Sequence, residues 1–191
     1  MRLMLALLIM VVSLNAISQE LTLTDHSIGR FELNETKLIS IQDIKESFPD
    51  YIVSHRIGEG DAGDFHVIAV SAKDGEEIFS VYSYFNELIN EHSKEYVVDL
   101  LVAHSERVND VHGISIGDNV DKVFLLVGED AVLTANHHDN SLGKNKVFYQ
   151  FKLSTESTEE VGINPESVTV DDVKRNNPKI HAMTWPSESW D

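Results

Sequence analysis

The chain has 191 residues, of which 15 are basic and 32 acidic, so its formal net charge at pH 7 is -17 with histidine counted as neutral. It contains no cysteine, which excludes disulfide bonds, a thiol nucleophile and a cysteine-ligated metal site. So negative a charge excludes a nucleic-acid-binding protein that neutralises phosphates, and it favours cationic proteins, peptides or metal ions as partners.

The first eighteen residues have the pattern of an export signal. Arg2 supplies a short positive region, Leu3–Leu14 form an apolar run, and Ala16 and Ser18 stand at the spacing that signal peptidase requires. We expect cleavage before Gln19. The alternative is a membrane anchor, but about twelve apolar residues make a helix of roughly 18 Å, too short for a hydrocarbon core of about 30 Å. The mature protein would then be periplasmic or secreted, with no membrane span.

The first half of the mature chain predicts a short strand, a helix and a meander. The strand is expected over Ser27–Glu32, and a helix capped at Ser40 is expected to end before Pro49. Beyond it the apolar residues recur with period two in three runs that are separated by glycine-containing turns, at Tyr51–Ile57, Phe65–Val70 and Ile78–Tyr84. Strands joined by such short turns indicate an antiparallel meander.

The second half predicts further strands and two short helices. One helix is expected to be capped by Asp118, and the polar segment Asn136–Asn145 is expected to be a loop between two strands. The remaining expected elements are a β run at Tyr96–His104, strands at Ala131–Ala135 and Lys146–Leu153, a polar excursion over Ser154–Asn164, a helix at Ser167–Asn176 and a closing strand at Lys179–Trp185. Together they predict a single α+β domain over residues 19–191, mainly antiparallel sheet in meanders with two or three short helices. A subdivision near residues 106–110 stays open.

The segment from Val97 onward carries a family resemblance. The matching pieces follow in order: Asn109-Asp110 before a Gly-Ile-Ser-Ile-Gly turn, then Phe148–Phe151, then the closing strand Ile180–Trp185. They resemble the RpoE-regulated lipoprotein family of bacterial envelope proteins, whose biochemical role is unassigned. The resemblance implies a place in the envelope and a link to envelope stress. Members of that family carry a lipid-acceptor cysteine and a cysteine pair that this chain lacks, so neither anchoring nor a loop disulfide carries over.

The most distinctive chemical feature is the loop that holds His137, His138 and Asp139. Imidazole and carboxylate suit divalent zinc, copper or nickel, and a loop can turn adjacent ligands toward one ion. Further ligands could come from His104, His112 or His181. A solvated polar hairpin loop explains the same residues without a metal.

A hydrolytic site is the third hypothesis. His104 and His112 flank a loop, and acid–base catalysis could pair them with one of four carboxylates, those of Asp99, Glu106, Asp110 and Asp118. The nearby serines, Ser105 and Ser115, lack the Gly-x-Ser-x-Gly frame of an exposed nucleophile. We therefore expect that the protein is not an enzyme.

These observations favour an exported, non-enzymatic protein that binds a partner or maintains the envelope. It would present an acidic face, a sheet edge and the segment 136–145 to a cationic envelope protein or peptide. The alternative is a periplasmic metal-binding protein that uses His137, His138 and Asp139.

Overall fold

The computed structural model describes residues 21–60, 63–135, 139–153 and 168–186. The predicted export signal and the predicted polar excursion over Ser154–Asn164 lie outside the described residues, and so do His137 and His138. None of the helices in the described ranges combines the length and the apolar character needed to cross a membrane.

Within those ranges the chain forms fourteen strands and three helices. In chain order they are β1 (Leu21–Leu23), β2 (Ser27–Ile28), β3 (Phe31–Glu32), β4 (Ile39–Ser40), α1 (Ile41–Ser47), β5 (Ile52–Gly58), β6 (Phe65–Ser71), β7 (Glu77–Tyr84), β8 (Glu95–Tyr96), β9 (Leu100–Ala103), β10 (Val108–Asp110), α2 (Asp121–Leu126), β11 (Val132–Ala135), β12 (Asn140–Lys144), β13 (Val147–Phe151), α3 (Val170–Asn176) and β14 (Ile180–Trp185).

An eight-stranded sheet organises the molecule, in the order β11-β12-β13-β14-β9-β7-β6-β5. Every neighbouring pair in it is antiparallel. The predicted α+β class with mainly antiparallel sheet is confirmed. Strands from both sides of residues 106–110 meet in this sheet, because β14 lies between β13 and β9.

One face of the large sheet forms the core. Four residues in register across β6, β7, β9 and β14 are at most 1% exposed, namely Ile68, Val81, Leu101 and Trp185. They belong to one apolar cluster with Ile44 of α1, Val123 of α2 and Val173 of α3. A smaller sheet, β10-β1-β2-β3, contributes to the same cluster, and its β1 runs parallel to β10.

The start of α1 is stabilised by residues close in the chain, whereas the start of α2 is stabilised by a residue far away in it. The predicted cap of α1 at Ser40 is confirmed, and the structure shows it as a capping box, since Asp43 N–H donates to Ser40 Oγ and Ser40 N–H donates to the Asp43 carboxylate. The predicted cap of α2 is wrong. The Asp118 carboxylate instead accepts from Ser115 N–H and the Lys122 ammonium, and Asp121 N–H donates to the side chain of Asn177 at the end of α3.

The prediction of a loop over residues 136–145 is wrong for Asn140–Lys144, which form β12. This strand pairs with β11 on one side and β13 on the other. Its sequence, Asn-Ser-Leu-Gly-Lys, has weak strand propensity, so neighbouring strands rather than local preference keep it extended. Asn145 has a φ of 58°, a left-handed conformation that allows the tight turn into β13.

Candidate functional site

The structure describes one member of the predicted metal loop, Asp139, just before β12. Its Oδ1 lies 3.2 Å from Nε2 of His181 in β14 and 3.8 Å from Nζ of Lys152, which follows β13. His181 is one of the three histidines that the sequence offers as further ligands. Tertiary structure thus brings two of the predicted ligand residues together.

A second histidine–carboxylate pair lies further along the same sheet. Nε2 of His104, directly after β9, is 3.4 Å from Oε1 of Glu77 at the start of β7. The same Oε1 accepts a hydrogen bond of 2.6 Å from the hydroxyl of Ser80. Because this serine bonds to Glu77 rather than to His104, its hydroxyl is not arranged as the nucleophile of a Ser-His pair.

Sheet register and an irregularity in β14 explain why the two pairs come close to each other. The pairing with β13 shifts between Gln150 and Phe151, so His181 departs from the alternation of the strand. Ser80, Val102 and Thr184 are in register across β7, β9 and β14, so they share the face of the sheet opposite the core. His104 stands two residues after Val102 and points to that same face. His181 is near enough to His104 to contribute to the lowering of the His104 pKa. We name Glu77, His104, His181 and Asp139 the histidine–carboxylate row.

The row holds two neutral imidazoles at pH 7. Burial lowers the pKa of His104, and the neighbouring Glu77 only partly opposes that effect. Burial likewise lowers the pKa of His181, against the opposing pull of Asp139. A neutral imidazole that donates its N–H to a carboxylate keeps its other nitrogen as an acceptor for a proton or a metal ion.

The row by itself is not a complete metal centre. In the part of the chain that the structure describes, no three histidine, aspartate or glutamate side chains converge on a position that could hold a metal ion. The row instead consists of two separate histidine–carboxylate contacts.

Three of the four carboxylates predicted for an acid–base pair have other partners. Asp99 accepts from the backbone N–H of Tyr84, and burial raises its pKa. Asp118 is 2.7 Å from the ammonium of Lys122. Asp110 accepts from two backbone N–H groups and a tyrosine hydroxyl rather than from an imidazole.

A small cavity of about 180 Å³ adjoins β1, β10 and the turn between β12 and β13. Asp110, 4% exposed, lines its wall. Its Oδ1 accepts from the N–H groups of His112 at 2.9 Å and Ile114 at 2.7 Å, and its Oδ2 accepts from the Tyr149 hydroxyl. Burial, followed by this hydrogen bond, raises the pKa of Tyr149, so the hydroxyl stays protonated and donates. Asp110 therefore acts as a structural acceptor.

Sequence reasoning missed a histidine pair at the other end of the sheet. His66 in β6 is fully buried, with its Nδ1 2.9 Å from Nε2 of His55 and its Nε2 2.8 Å from the carbonyl oxygen of Asn90. A carbonyl only accepts, so Nε2 of His66 carries the hydrogen and its Nδ1 accepts from His55. The sequence did contain a signal for the burial of His66. This histidine stands at every second position with Ile68 and Val70 in a predicted strand, and these positions share the core face.

Comparison with known proteins finds a similar fold but assigns no activity. No family model matches the chain, and no curated protein matches it. The fold is similar to that in the crystal structure of the uncharacterized protein YfeY from Escherichia coli, with a TM-score of 0.56 and 12% sequence identity. The match covers 86% of this chain and 99% of the other. At that identity the likeness concerns the fold alone.

Proposed function

We propose that the protein is an exported, non-enzymatic binding protein of the bacterial envelope, and that its partner is a cationic protein or peptide. The observation that carries the proposal is an acidic surface whose own cations are already engaged. Most of the described lysines and arginines lie within 4 Å of a carboxylate: Lys37, Lys73, Arg107, Lys122, Lys144, Lys146, Lys152, Lys174 and Arg175.

Because acidic residues outnumber basic ones by 32 to 15, many carboxylates have no cation to neutralise them. Among the described residues, exposed carboxylates outside any ion pair include Glu59, Asp64, Glu87 and Glu106. A surface of one sign attracts partners of the opposite sign and repels anionic lipid and nucleic acid. A cationic polypeptide is therefore the partner that this surface favours.

The proposal includes kinship with the RpoE-regulated lipoprotein family and its link to envelope stress. Two observations support it: the motifs between Asn109 and Trp185, and the fold shared with an uncharacterised protein of Escherichia coli. The absence of the acceptor cysteine implies that this member would act without a lipid anchor.

Charge reversal tests the proposed function. The wild-type protein, a variant carrying Glu59→Lys, Asp64→Lys, Glu87→Lys and Glu106→Lys, and a His137→Ala control are expressed with the export signal and crosslinked in the envelope. We expect wild type and His137→Ala to capture the same basic proteins, and the reversed variant to capture about tenfold less, because it loses the attraction. The readout is quantitative mass spectrometry of the captured proteins.

Either of two results would contradict this proposal. One is equal capture by the charge-reversed variant. The other is a set of captured proteins whose isoelectric points match those of the whole extract. The same spectra report the N-terminus of the protein, which we expect at Gln19.

The second candidate function is metal binding. The observation that favours it is the contact between Asp139 and His181, because it places an imidazole of β14 beside a residue that directly follows His137 and His138 in the sequence. The Nε2 of His181 faces the carboxylate, an arrangement that orients metal-binding imidazoles in many proteins.

Thermal denaturation with and without Zn²⁺, Cu²⁺ and Ni²⁺ tests this second function. At about a hundred times its dissociation constant, a bound metal adds roughly 2.7 kcal/mol, which corresponds to a Tm increase of a few degrees. We expect the shift for one metal in the wild type, its loss in His181→Ala and in Asp139→Ala, and its retention in the control His112→Ala. No shift for any metal, or an equal shift in every variant, would overturn metal binding.

A further inference from the structure

β5 forms one edge of the eight-stranded sheet and has an unused hydrogen-bonding side. It spans seven residues, Ile52–Gly58, and among the strands that the structure describes it pairs with β6 alone. Alternate residues of an edge strand direct their N–H and C=O groups away from the sheet. In the described ranges no hydrogen bond reaches that outer side of β5. Natural proteins commonly keep edge strands short or cover them, so a seven-residue open edge calls for a partner strand.

The side chains of β5 suit an added strand on both faces. Ile52 and Ile57 are 52% and 44% exposed, and they lie on opposite faces because five positions separate them. Each offers an apolar contact to a residue in register on a neighbouring strand. The other edge strand, β11, has four residues and offers a shorter edge.

Charge favours a cationic polypeptide over a second copy of this chain as the partner of this edge. Acidic residues flank β5, with Asp50 before it and Glu59 and Asp64 after it, whereas Arg56 is the basic residue within it. A second copy of the chain would bring the same acidic residues and another charge of -17 against the first, which opposes self-pairing. An extended cationic segment would instead place its basic side chains beside these carboxylates.

We propose that β5 is the docking edge for an extended segment of a cationic partner polypeptide, which joins the sheet as an additional strand. This inference rests on the proposed function and names the site and the mode of binding. Main-chain hydrogen bonds along β5 hold the segment, and side chains opposite Ile52 and Ile57 select apolar residues. Basic residues toward the ends of the segment face Asp50, Glu59 and Asp64.

Synthetic peptides and the full mature protein provide the test. The probe is a peptide of about nine residues that alternates Lys or Arg with Val or Ile. Two controls keep its charge: a scrambled sequence that breaks the alternation, and the same sequence with N-methylated backbone nitrogens. The protein variant is Ile52→Thr with Ile57→Thr, which keeps β-branched residues, and its matched control is Leu125→Thr, an 80% exposed apolar residue in α2. Calorimetry gives Kd, and amide exchange locates binding.

We expect the probe to bind and to slow exchange at alternate amides of β5. N-methylation, scrambling and the double β5 variant should each raise Kd about tenfold or more, whereas Leu125→Thr leaves Kd unchanged. The N-methylated peptide leaves the protein untouched, so the test holds even if the double variant folds poorly.

Three other outcomes would overturn β5 as the docking edge. Equal binding of all the peptides would show attachment by charge alone, which leaves the proposed function standing. Absence of binding by any peptide would remove the edge as a site, and crosslinking in the envelope would then decide the proposed function separately. A dimer without peptide that the double variant converts to monomers would assign the edge to a second copy of the chain.

Discussion

Replacing Asp110 with alanine is expected to lower the free energy of unfolding by about 3–5 kcal/mol. The carboxylate is 4% exposed and accepts hydrogen bonds from the backbone N–H groups of His112 and Ile114 and from the hydroxyl of Tyr149. Alanine leaves the buried N–H of Ile114 and the buried hydroxyl of Tyr149 without an acceptor, and it removes the partner of the partly buried N–H of His112. Each unsatisfied buried group costs about 1–3 kcal/mol. Domains of this size are stable by about 5–15 kcal/mol, so the loss is a large fraction of the total.

Urea denaturation followed by circular dichroism measures this effect, with two further variants for comparison. Asp110→Asn keeps an oxygen that accepts from the two backbone groups, so we expect an intermediate loss of about 1–2 kcal/mol. Asp50→Ala removes an exposed aspartate in a surface pair with Lys73 and should cost no more than about 0.5 kcal/mol. If Asp110→Ala and Asp50→Ala lose the same amount, the carboxylate of Asp110 is not a structural acceptor.

Replacing Gly143 with alanine is expected to destabilise the protein by about 3 kcal/mol. A Cβ at this position in β12 would lie 2.3 Å from the carbonyl oxygen of Val147 and 2.7 Å from the Cα of Phe148. Both are backbone atoms of the adjoining strand, so the strand pairing itself must shift to make room. Overpacking of this kind costs about 1–3 kcal/mol, and contact with backbone places the cost at the upper end.

Two comparison variants show whether the backbone contact is the cause. Gly58→Ala in β5 would place a Cβ 2.4 Å from the ring of Phe65, a half-buried side chain that can move, so its loss should be smaller. Ser141→Ala, two residues before Gly143 in β12, should change the free energy by no more than about 0.5 kcal/mol. Equal losses for Gly143→Ala and Ser141→Ala in urea denaturation would contradict the steric argument.

Local features of the sequence predicted the elements whose signals lie within a few residues. The capping box of Ser40 and Asp43 marks the start of α1, and Pro49 stands just beyond its end. The meander of β5, β6 and β7 follows from alternation and short turns. In each case the interacting groups are close in the chain, so propensity and spacing carry the information.

The errors arose where a distant partner decides the structure. Asp118 has the position of a helix cap, yet Asn177 supplies the acceptor to Asp121 because α3 packs its end against α2. β12 has a weak strand signal, and it is extended because β11 and β13 satisfy its backbone on both sides. In both places, hydrogen bonds to residues distant in the chain outweigh the local preference of the sequence.

The candidate site shows the same division between local and distant information. The sequence singled out Asp139, His104 and His181 by residue type, but it offered no geometry for them. Glu77 was missed, since a glutamate after a hairpin turn has no local feature that marks it. Only the strand order, in which β14 lies beside β9 and β9 beside β7, places these residues in one row.

By itself, the amino-acid sequence determined the charge of -17, the α+β class, the ends of α1 and the residue types available for binding. These properties depend on composition and on contacts within a few residues. The tertiary structure alone decided which strand lies at the edge of the sheet, which carboxylate faces which histidine, and that the Asp110 carboxylate accepts from the Tyr149 hydroxyl. Such facts depend on hydrogen bonds between residues far apart in the chain, and one sequence has no local signal for them.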